Sequence, residues 1–385
     1  MNIGVYCNWG VKISNNGFYI SNVDAKYIRG FKRKAGKVTL LSSSSNADIK
    51  DSDVFISYEE INLIALPNFS NYIQSAKYFF LIIKKIKDLL KVSDFIYVRT
   101  PEPFCWAFSL MKSKVQVINY HFTSNPIEVI KNNDSISFFK KKLMIFIFYP
   151  EYMLYCIAAY FCKCTANGPS VIENIPRFLR WKAKVLIEST QERDDFLYKD
   201  AVFLNDEKIT FLCVSRFVPA KGLDLLIDAF TLFKSNNPEK KFLLNFVGDG
   251  PIEDSLRKKV ISSGLGSNIQ FLGYIKNGRE LNLAYQRTDV FINPSLSETG
   301  PRVLLEAMSN HLFCISTDVG YAKYIMTEGD NLFGFLIKKN SLNELVDAIS
   351  FVFNNVNHCR DTTNESYRIS QKYTLSRFIE EVIED

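Results

Sequence analysis

The sequence predicts a two-domain α/β protein in which each half alternates strands and helices in the Rossmann-like manner. A chain of 385 residues has room for two separate cores. It opens on an apolar strand, Asn2-Ile3-Gly4-Val5-Tyr6-Cys7, and a second strand series starts at Ile209. A third observation is the stretch Asp289–Gly320, which reads as a buried strand, a polar loop, a helix and another strand. The expected boundaries are 1–200 for the first domain, 205–365 for the second and 366–385 for a terminal helix. The polar segment from Gln191 to Asp206 is the expected linker.

Hydrophobic residues at 47% and charged residues at 23% describe a soluble globular chain. The eight Cys show no Cys-x-x-Cys or Cys/His metal spacing and sit mostly in apolar runs, which predicts reduced core thiols and no bound metal. Met1 leads straight into a strand without a basic or apolar leader, so the expectation is a cytoplasmic protein without a secretory signal. Residues 1–200 carry 27 Lys and Arg against 18 Asp and Glu, a net +9, whereas the remainder carries −3. A basic first half suits an anionic partner, such as peripheral contact with the cytoplasmic face of an inner membrane; ordinary solvated lysines are the alternative. No basic and aromatic signature of a nucleic-acid module is present, so no nucleic acid is expected.

After the first strand, a loop with Gly10 and Gly17 lies where open α/β sheets bind ligands, and Gly17 is a candidate acceptor contact. No Gly-x-Gly-x-x-Gly follows, so a dinucleotide fingerprint is not supported. The run Tyr19 to Lys34 is helix-like, with Lys26, Arg29 and Arg33 on one face toward solvent or lipid headgroups. Asp51-Ser52-Asp53 mimics a metal-binding Asp-x-Asp but precedes a strand, and is read as coincidence. Val38–Leu41, Val54–Ser57 and Phe95–Val98 are expected strands, with a helix from Ile73 to Leu90. Arg99 and Glu102 follow Val98 in a charged loop, placed either to contact an acceptor or to pair with each other. The strand Val115–His121 ends on one of only three His, a type that more often hydrogen-bonds than catalyses at such a place. Leu143–Phe161 contains one charge, Glu151, behind Lys140-Lys141-Lys142. With Pro150-Glu151 at its centre, it reads as a buried helix of the first domain, with interfacial membrane contact as the alternative.

In the second half, Arg216 ends a strand and Lys221 begins the next helix. Two fixed cations there would neutralise charge growing on a diphosphate leaving group without a metal. In the Asp289–Gly320 stretch, Gly300 and Pro301 suit a helix start, where backbone N–H groups and the helix dipole favour an anion. Glu298 precedes that helix and Glu306 lies inside it, about 7.5 Å beyond Pro301 by the helical rise.

This stretch resembles the glutamate, seven residues, glutamate motif of retaining glycosyltransferases of family 4, which have the GT-B fold of two facing Rossmann-like domains. The resemblance implies that Glu298 lies beside the transferred sugar, that the backbone of Gly300, Pro301, Arg302 and Val303 approaches sugar and diphosphate, and that Glu306 holds the ribose. It assigns the diphosphate to Arg216 and Lys221, close backbone approach to Gly248 in Phe246–Pro251, and a place near the base to Tyr274. It puts His121 near the donor sugar as a second catalytic candidate. Gly300 departs from the aromatic residue common two positions after the first Glu. The terminal helix is implied to cross back to the first domain. The implied activity is metal-independent transfer from a UDP- or GDP-sugar co-substrate to a glycan or lipid-linked acceptor, in bacterial O-antigen or capsule synthesis. The rival readings are a nucleotide-sugar epimerase or phosphorylase of the same fold, and a non-catalytic sugar-nucleotide binder.

Overall fold

Both large sheets are parallel throughout, and in each the strand order reverses beside the first strand of the unit. The computed structural model describes residues 1–131, 136–195 and 208–384 and divides into two units, Met1–Thr190 with Leu375–Asp385, and Gln191–Thr374. The return to the first unit thus begins at Leu375, later than the expected residue 366. The expected boundary between 200 and 205, with most of the linker, lies outside the described residues.

The first unit contains β1 (Asn2–Tyr6), β2 (Lys12–Ser14), β3 (Gly17–Ser21), β4 (Lys37–Ser43), β5 (Asp53–Ser57), β6 (Asn62–Leu66), β7 (Phe95–Thr100), β8 (Val117–Phe122), β9 (Lys163–Asn167) and β10 (Lys184–Leu186). Its main sheet has the order β10-β9-β8-β7-β1-β4-β6. The chain therefore winds outward on one side of β1 and then on the other, which places a switch point between β1 and β7. Open α/β sheets bind ligands just beyond the carboxyl ends of the strands at such a point.

β2, β3 and β5 form a separate antiparallel sheet. This corrects two expectations. Gly17 opens β3 instead of a ligand loop, and a Cβ there would lie 2.1 Å from the Ile56 carbonyl. The first helix, Asn22–Lys34, starts after Tyr19, because the Ser21 hydroxyl caps it by accepting from the Asp24 N–H at 3.2 Å. On that helix Arg29 pairs with Glu60 at 2.6 Å and Lys26 donates to the Thr190 carbonyl at 3.3 Å. Asp53, of the Asp-x-Asp sequence, pairs with Lys12.

One face of the main sheet packs Ile82, Ile86 and Leu89 with Phe108 and Tyr155. The other packs Ala25, Ile28 and Phe31 with the return helix Leu375–Glu384. Leu375, Phe378, Ile379 and Val382 recur at the helical period, and all four are buried. Gly30 lets that helix approach, since a Cβ there would lie 2.2 Å from Ile379 Cδ1.

The apolar run forms the helix Phe138–Tyr160, long and apolar enough by composition to cross a membrane. One side of it is protein core, with Tyr152, Tyr155 and Cys156 buried, and Glu151 is buried and hydrogen-bonded. Phe139, Leu143, Phe146 and Ile147 are exposed, so the expected buried helix is covered on one side only.

The second unit contains β11 (Ile209–Val214), β12 (Phe242–Val247), β13 (Ile269–Phe271), β14 (Val290–Asn293), β15 (Phe313–Thr317), the hairpin β16 (Thr327–Glu328) with β17 (Asn331–Leu332), and β18 (Phe335–Ile337). The main sheet runs β13-β12-β11-β14-β15-β18, so its switch point lies between β11 and β14. Phe211, Phe230, Phe242 and Ile292 belong to its core. Ser341 caps the helix Leu342–Asn354 by accepting from the Glu344 N–H.

Candidate active site

The loops leaving β11, β12, β14 and β15 pack backbone against backbone, and glycines permit it. Gly222 has φ of 64°, and a Cβ there would meet the Pro294 carbonyl at 2.3 Å. Gly248 has φ of 135°, with the Ser215 carbonyl 1.8 Å from where its Cβ would be. Gly320, at 58°, backs onto the Thr299 carbonyl in the same way. The Leu296 N–H donates to the Ala220 carbonyl at 2.9 Å, which ties the β14 loop to the β11 loop. Gly248→Ala is expected to displace the β11 loop and cost on the order of 1–3 kcal/mol of stability. A thermal melt matching the wild type would show that this approach can relax freely.

At this switch point Lys221 pairs directly with Glu298, and both side chains are largely enclosed. The Ser295 hydroxyl, 3.2 Å from Glu298 Oε1 and 2.7 Å from Asn293 Oδ1, braces the carboxylate from below. Lys221 ends a 3-10 turn, Pro219–Lys221, and the left-handed Gly222 then starts the helix Leu223–Asn236. Arg216 lies on the same β11 loop, exposed and without an ion-pair partner among the described residues. Tyr274 is exposed beyond β13, and the Gly273 carbonyl accepts from the Gly248 N–H at 2.9 Å.

The helix after β14 runs Arg302–Ser309, with Pro301 at the cap, one position later than the spacing suggests. Gly300 and Arg302 close the entry through an N–H to carbonyl bond of 2.9 Å. Glu306 is buried on this helix and accepts from Asn277 Nδ2 at 2.9 Å and Tyr285 Oη at 3.0 Å. Tyr285 Oη also lies 3.5 Å from the Val303 carbonyl. Burial and the adjacent Glu306 carboxylate push the Tyr285 phenol well above its usual range, so it serves as a proton-bearing donor. Sequence reasoning missed Asn277 and Tyr285, which lie 29 and 21 residues before Glu306. The Ser295 brace had a signal, since it lies three residues before Glu298.

Of the candidates in the first unit, Arg99 and His121 come together at Glu188, apart from Glu102 and Gly17. Arg99 does not pair with Glu102; it makes a bidentate pair with Glu188, at 3.2 and 3.1 Å. His121 is fully enclosed. Its Nδ1 lies 2.9 Å from Thr165 Oγ1, its Nε2 lies 3.5 Å from Glu188, and Tyr97 and Phe378 flank the ring. Burial lowers its pKa, so the ring is neutral at pH 7. The structure gives His121 the hydrogen-bonding role of a strand-end histidine, and no edge of the ring reaches the surface.

Glu102 instead binds Asn8, which follows β1. Its carboxylate accepts from the Asn8 N–H at 2.7 Å and from the Asn8 amide. The pair sits at the β1/β7 switch point and lines a cavity of about 1060 Å³, together with Gly10. Gly10, not Gly17, is thus the glycine of the first loop that borders an open site. Burial pushes the Glu102 carboxyl up to about 8, from an ordinary value of 4.5. The folded chain then keeps this proton over a range where the unfolded chain has lost it. The contribution to stability is full below about pH 4.5 and is lost as pH rises through 8. Glu102→Gln removes that titration, so the melting temperature should decline less steeply from pH 5 to pH 8 than in the wild type. The difference should reach on the order of 3–4 kcal/mol. Parallel declines would show that Glu102 is ionised in the folded protein.

Residues 194–369 match the family described as glycosyl transferases group 1. The chain is 30% identical over 157 residues to alpha-monoglucosyldiacylglycerol synthase of Acholeplasma laidlawii, over 41% of this chain and 38% of that protein. It is 29% identical over 153 residues to the lipopolysaccharide core biosynthesis mannosyltransferase LpsB of Rhizobium meliloti, over 39% of this chain and 43% of that protein. The chain thus spans less than half the length of these two relatives. The Anabaena Alr3699/HepE structure in complex with UDP superposes over 100% of this chain and 99% of its own, with a TM-score of 0.71 at 16% identity. Residues 194–369, nearly all of the second unit, thus match the glycosyl transferases group 1 model, on a chain that has the GT-B fold.

Proposed function

We propose that the protein transfers a sugar from a UDP- or GDP-sugar to a glycan or lipid-linked glycan acceptor, with retention of anomeric configuration. One observation carries the reading: Lys221 and Glu298 meet at the β11/β14 switch point, on loops that glycines hold together. Lys221 and Arg216 supply positive charge for the leaving diphosphate, and Lys221 retains further donors beyond the one spent on Glu298. Glu298 faces the sugar. Glu306, held by Asn277 and Tyr285, offers its carboxylate to the ribose hydroxyls, while Gly248, Tyr274 and the 300–303 backbone line the donor. The second unit holds the donor and the first unit the acceptor. The UDP complex of the Anabaena protein and the glucosyl and mannosyl transferase names of the relatives support this reading.

The setting proposed is bacterial surface polysaccharide synthesis, O-antigen or capsule, on the cytoplasmic face of the inner membrane. The basic first half and the exposed apolar helix face support peripheral contact there. The test is a panel of UDP- and GDP-sugars, read by thermal shift and by nucleotide release with acceptor, in the presence of EDTA. One nucleotide sugar should stabilise the protein, turnover should survive the chelator, and NMR of the product should show the donor's anomeric configuration. Activity lost to EDTA and restored by manganese would overturn the metal-free reading, and an inverted product would overturn retention. Consumption of the donor without an acceptor would favour an epimerase.

A further inference from the structure

The cavity of the first unit is polar at one end and apolar at the other. Its polar end lies beneath the carboxyl ends of β1, β4 and β7, where Asn8, Ser44, Ser45 and Glu102 line it. These are hydroxyl, amide and carboxyl groups of the kind that recognise a hydroxylated head. Its other wall is Val129, Ile130, Met144, Ile147 and Phe148, the last three on the helix Phe138–Tyr160. Lys140 stands at the rim, exposed and with no ion-pair partner among the described residues.

The apolar wall continues outward. Ile147 also lines a second concavity of about 710 Å³, shared with Lys142, Ile145, Phe146, Tyr149 and Pro150. Phe146 and Leu143 beside it are exposed. A soluble glycan has no use for such a path, and exposed aliphatic and aromatic surface of this extent calls for an apolar occupant.

We infer that this cavity seats an amphiphilic acceptor, with its hydroxylated head at Asn8, Ser44, Ser45 and Glu102, an anionic linker at Lys140, and a hydrocarbon chain along Met144, Ile147 and Phe148 toward Phe146. The inference rests on the transferase reading for the word acceptor, and on the cavity alone for the lipid.

The test is calorimetric titration of the full chain with dodecyl β-D-glucopyranoside and dodecyl phosphate, below their micellar concentrations, each against its methyl counterpart. A fully buried methylene is worth about fourfold in affinity, so both dodecyl probes should bind at least tenfold tighter than the methyl ones. The double variant Met144→Gln, Ile147→Gln replaces one half-buried and one exposed residue, and it should lose most of that difference. Ile157→Gln, an exposed residue on the same helix outside both concavities, should keep it. Lys140→Ala should weaken dodecyl phosphate severalfold and leave the glucoside unchanged.

Equal binding of methyl and dodecyl probes would overturn the inference, as would a difference that survives the double variant. An equal loss in Ile157→Gln would assign the effect to a general lipid surface and also overturn it. If the alkyl probes behave as expected but no nucleotide sugar binds or turns over, the transferase reading falls and the lipid site stands. Sugar transfer with no dependence on chain length does the reverse.

Discussion

Lys221→Ala is expected to lower kcat for sugar transfer by about 10²–10³-fold, the loss that follows removal of one preorganised group facing transition-state charge. The circular dichroism spectrum and the melting temperature should change little, because Lys221 ends a short 3-10 turn and contributes nothing to the hydrophobic core. Glu298→Ala should be at least as damaging. Each substitution leaves the other member of the pair without its partner, so the double variant should be little worse than either single one. Ser295→Ala is the graded control: it removes one hydroxyl 3.2 Å from the Glu298 carboxylate and should cost only about tenfold or less. The measurement is steady-state kinetics with the donor identified by the sugar panel, together with donor binding by each variant. Near-normal turnover in either alanine variant would remove Lys221 and Glu298 from the chemistry.

Lys221 and Glu298 were each singled out in the sequence, though not as partners of one another, because both lie where local signals are strong. Lys221 precedes a glycine and a helix, and Glu298 follows a buried strand and an Asn-Pro-Ser turn. A parallel sheet then brings the two together without further information, since β11 and β14 are neighbours with the same polarity. The partners of Glu306 were not legible, because Asn277 and Tyr285 reach it through the fold of the unit and no spacing rule links them to it. The first unit was harder to read. Gly17 looked like a loop glycine, but what fixes it is the antiparallel pairing of β3 with β5, a contact distant in the chain. Arg99 was expected to contact an acceptor or pair with Glu102, and the residue that took it, Glu188, is 89 residues away. His121 could not be placed without knowing that the return helix puts Phe378 against its ring.

Glu151→Ala is expected to be the most destabilising single substitution in the first unit. The carboxylate lies in the apolar helix immediately after Pro150, a position that in isolation would be unfavourable for a charge. Three donors compensate it: the Phe104 N–H at 2.6 Å, Trp106 Nε1 at 2.9 Å and Tyr72 Oη at 3.3 Å. These come from the segment after β7 and from the helix Tyr72–Ala76, so one side chain fastens the long helix to two other elements. Burial still raises its pKa, so the three hydrogen bonds only partly offset desolvation. Truncation to alanine removes the acceptor and leaves the Phe104 N–H and the Trp106 indole buried without partners. Each such group costs about 1–3 kcal/mol, which predicts a total of roughly 3–5 kcal/mol. For a unit of this size that is a fall in Tm of about 6–15 °C. Glu151→Gln keeps one acceptor oxygen and should cost less than half as much. The loop carrying Phe104 and Trp106 begins at Pro101 and Glu102, which line the amphiphile cavity, so Glu151→Ala should also weaken dodecyl glucoside binding without altering nucleotide-sugar binding. A variant that melts with the wild type would mean that water takes the place of the carboxylate at no cost, and the helix would then be held by its apolar side alone.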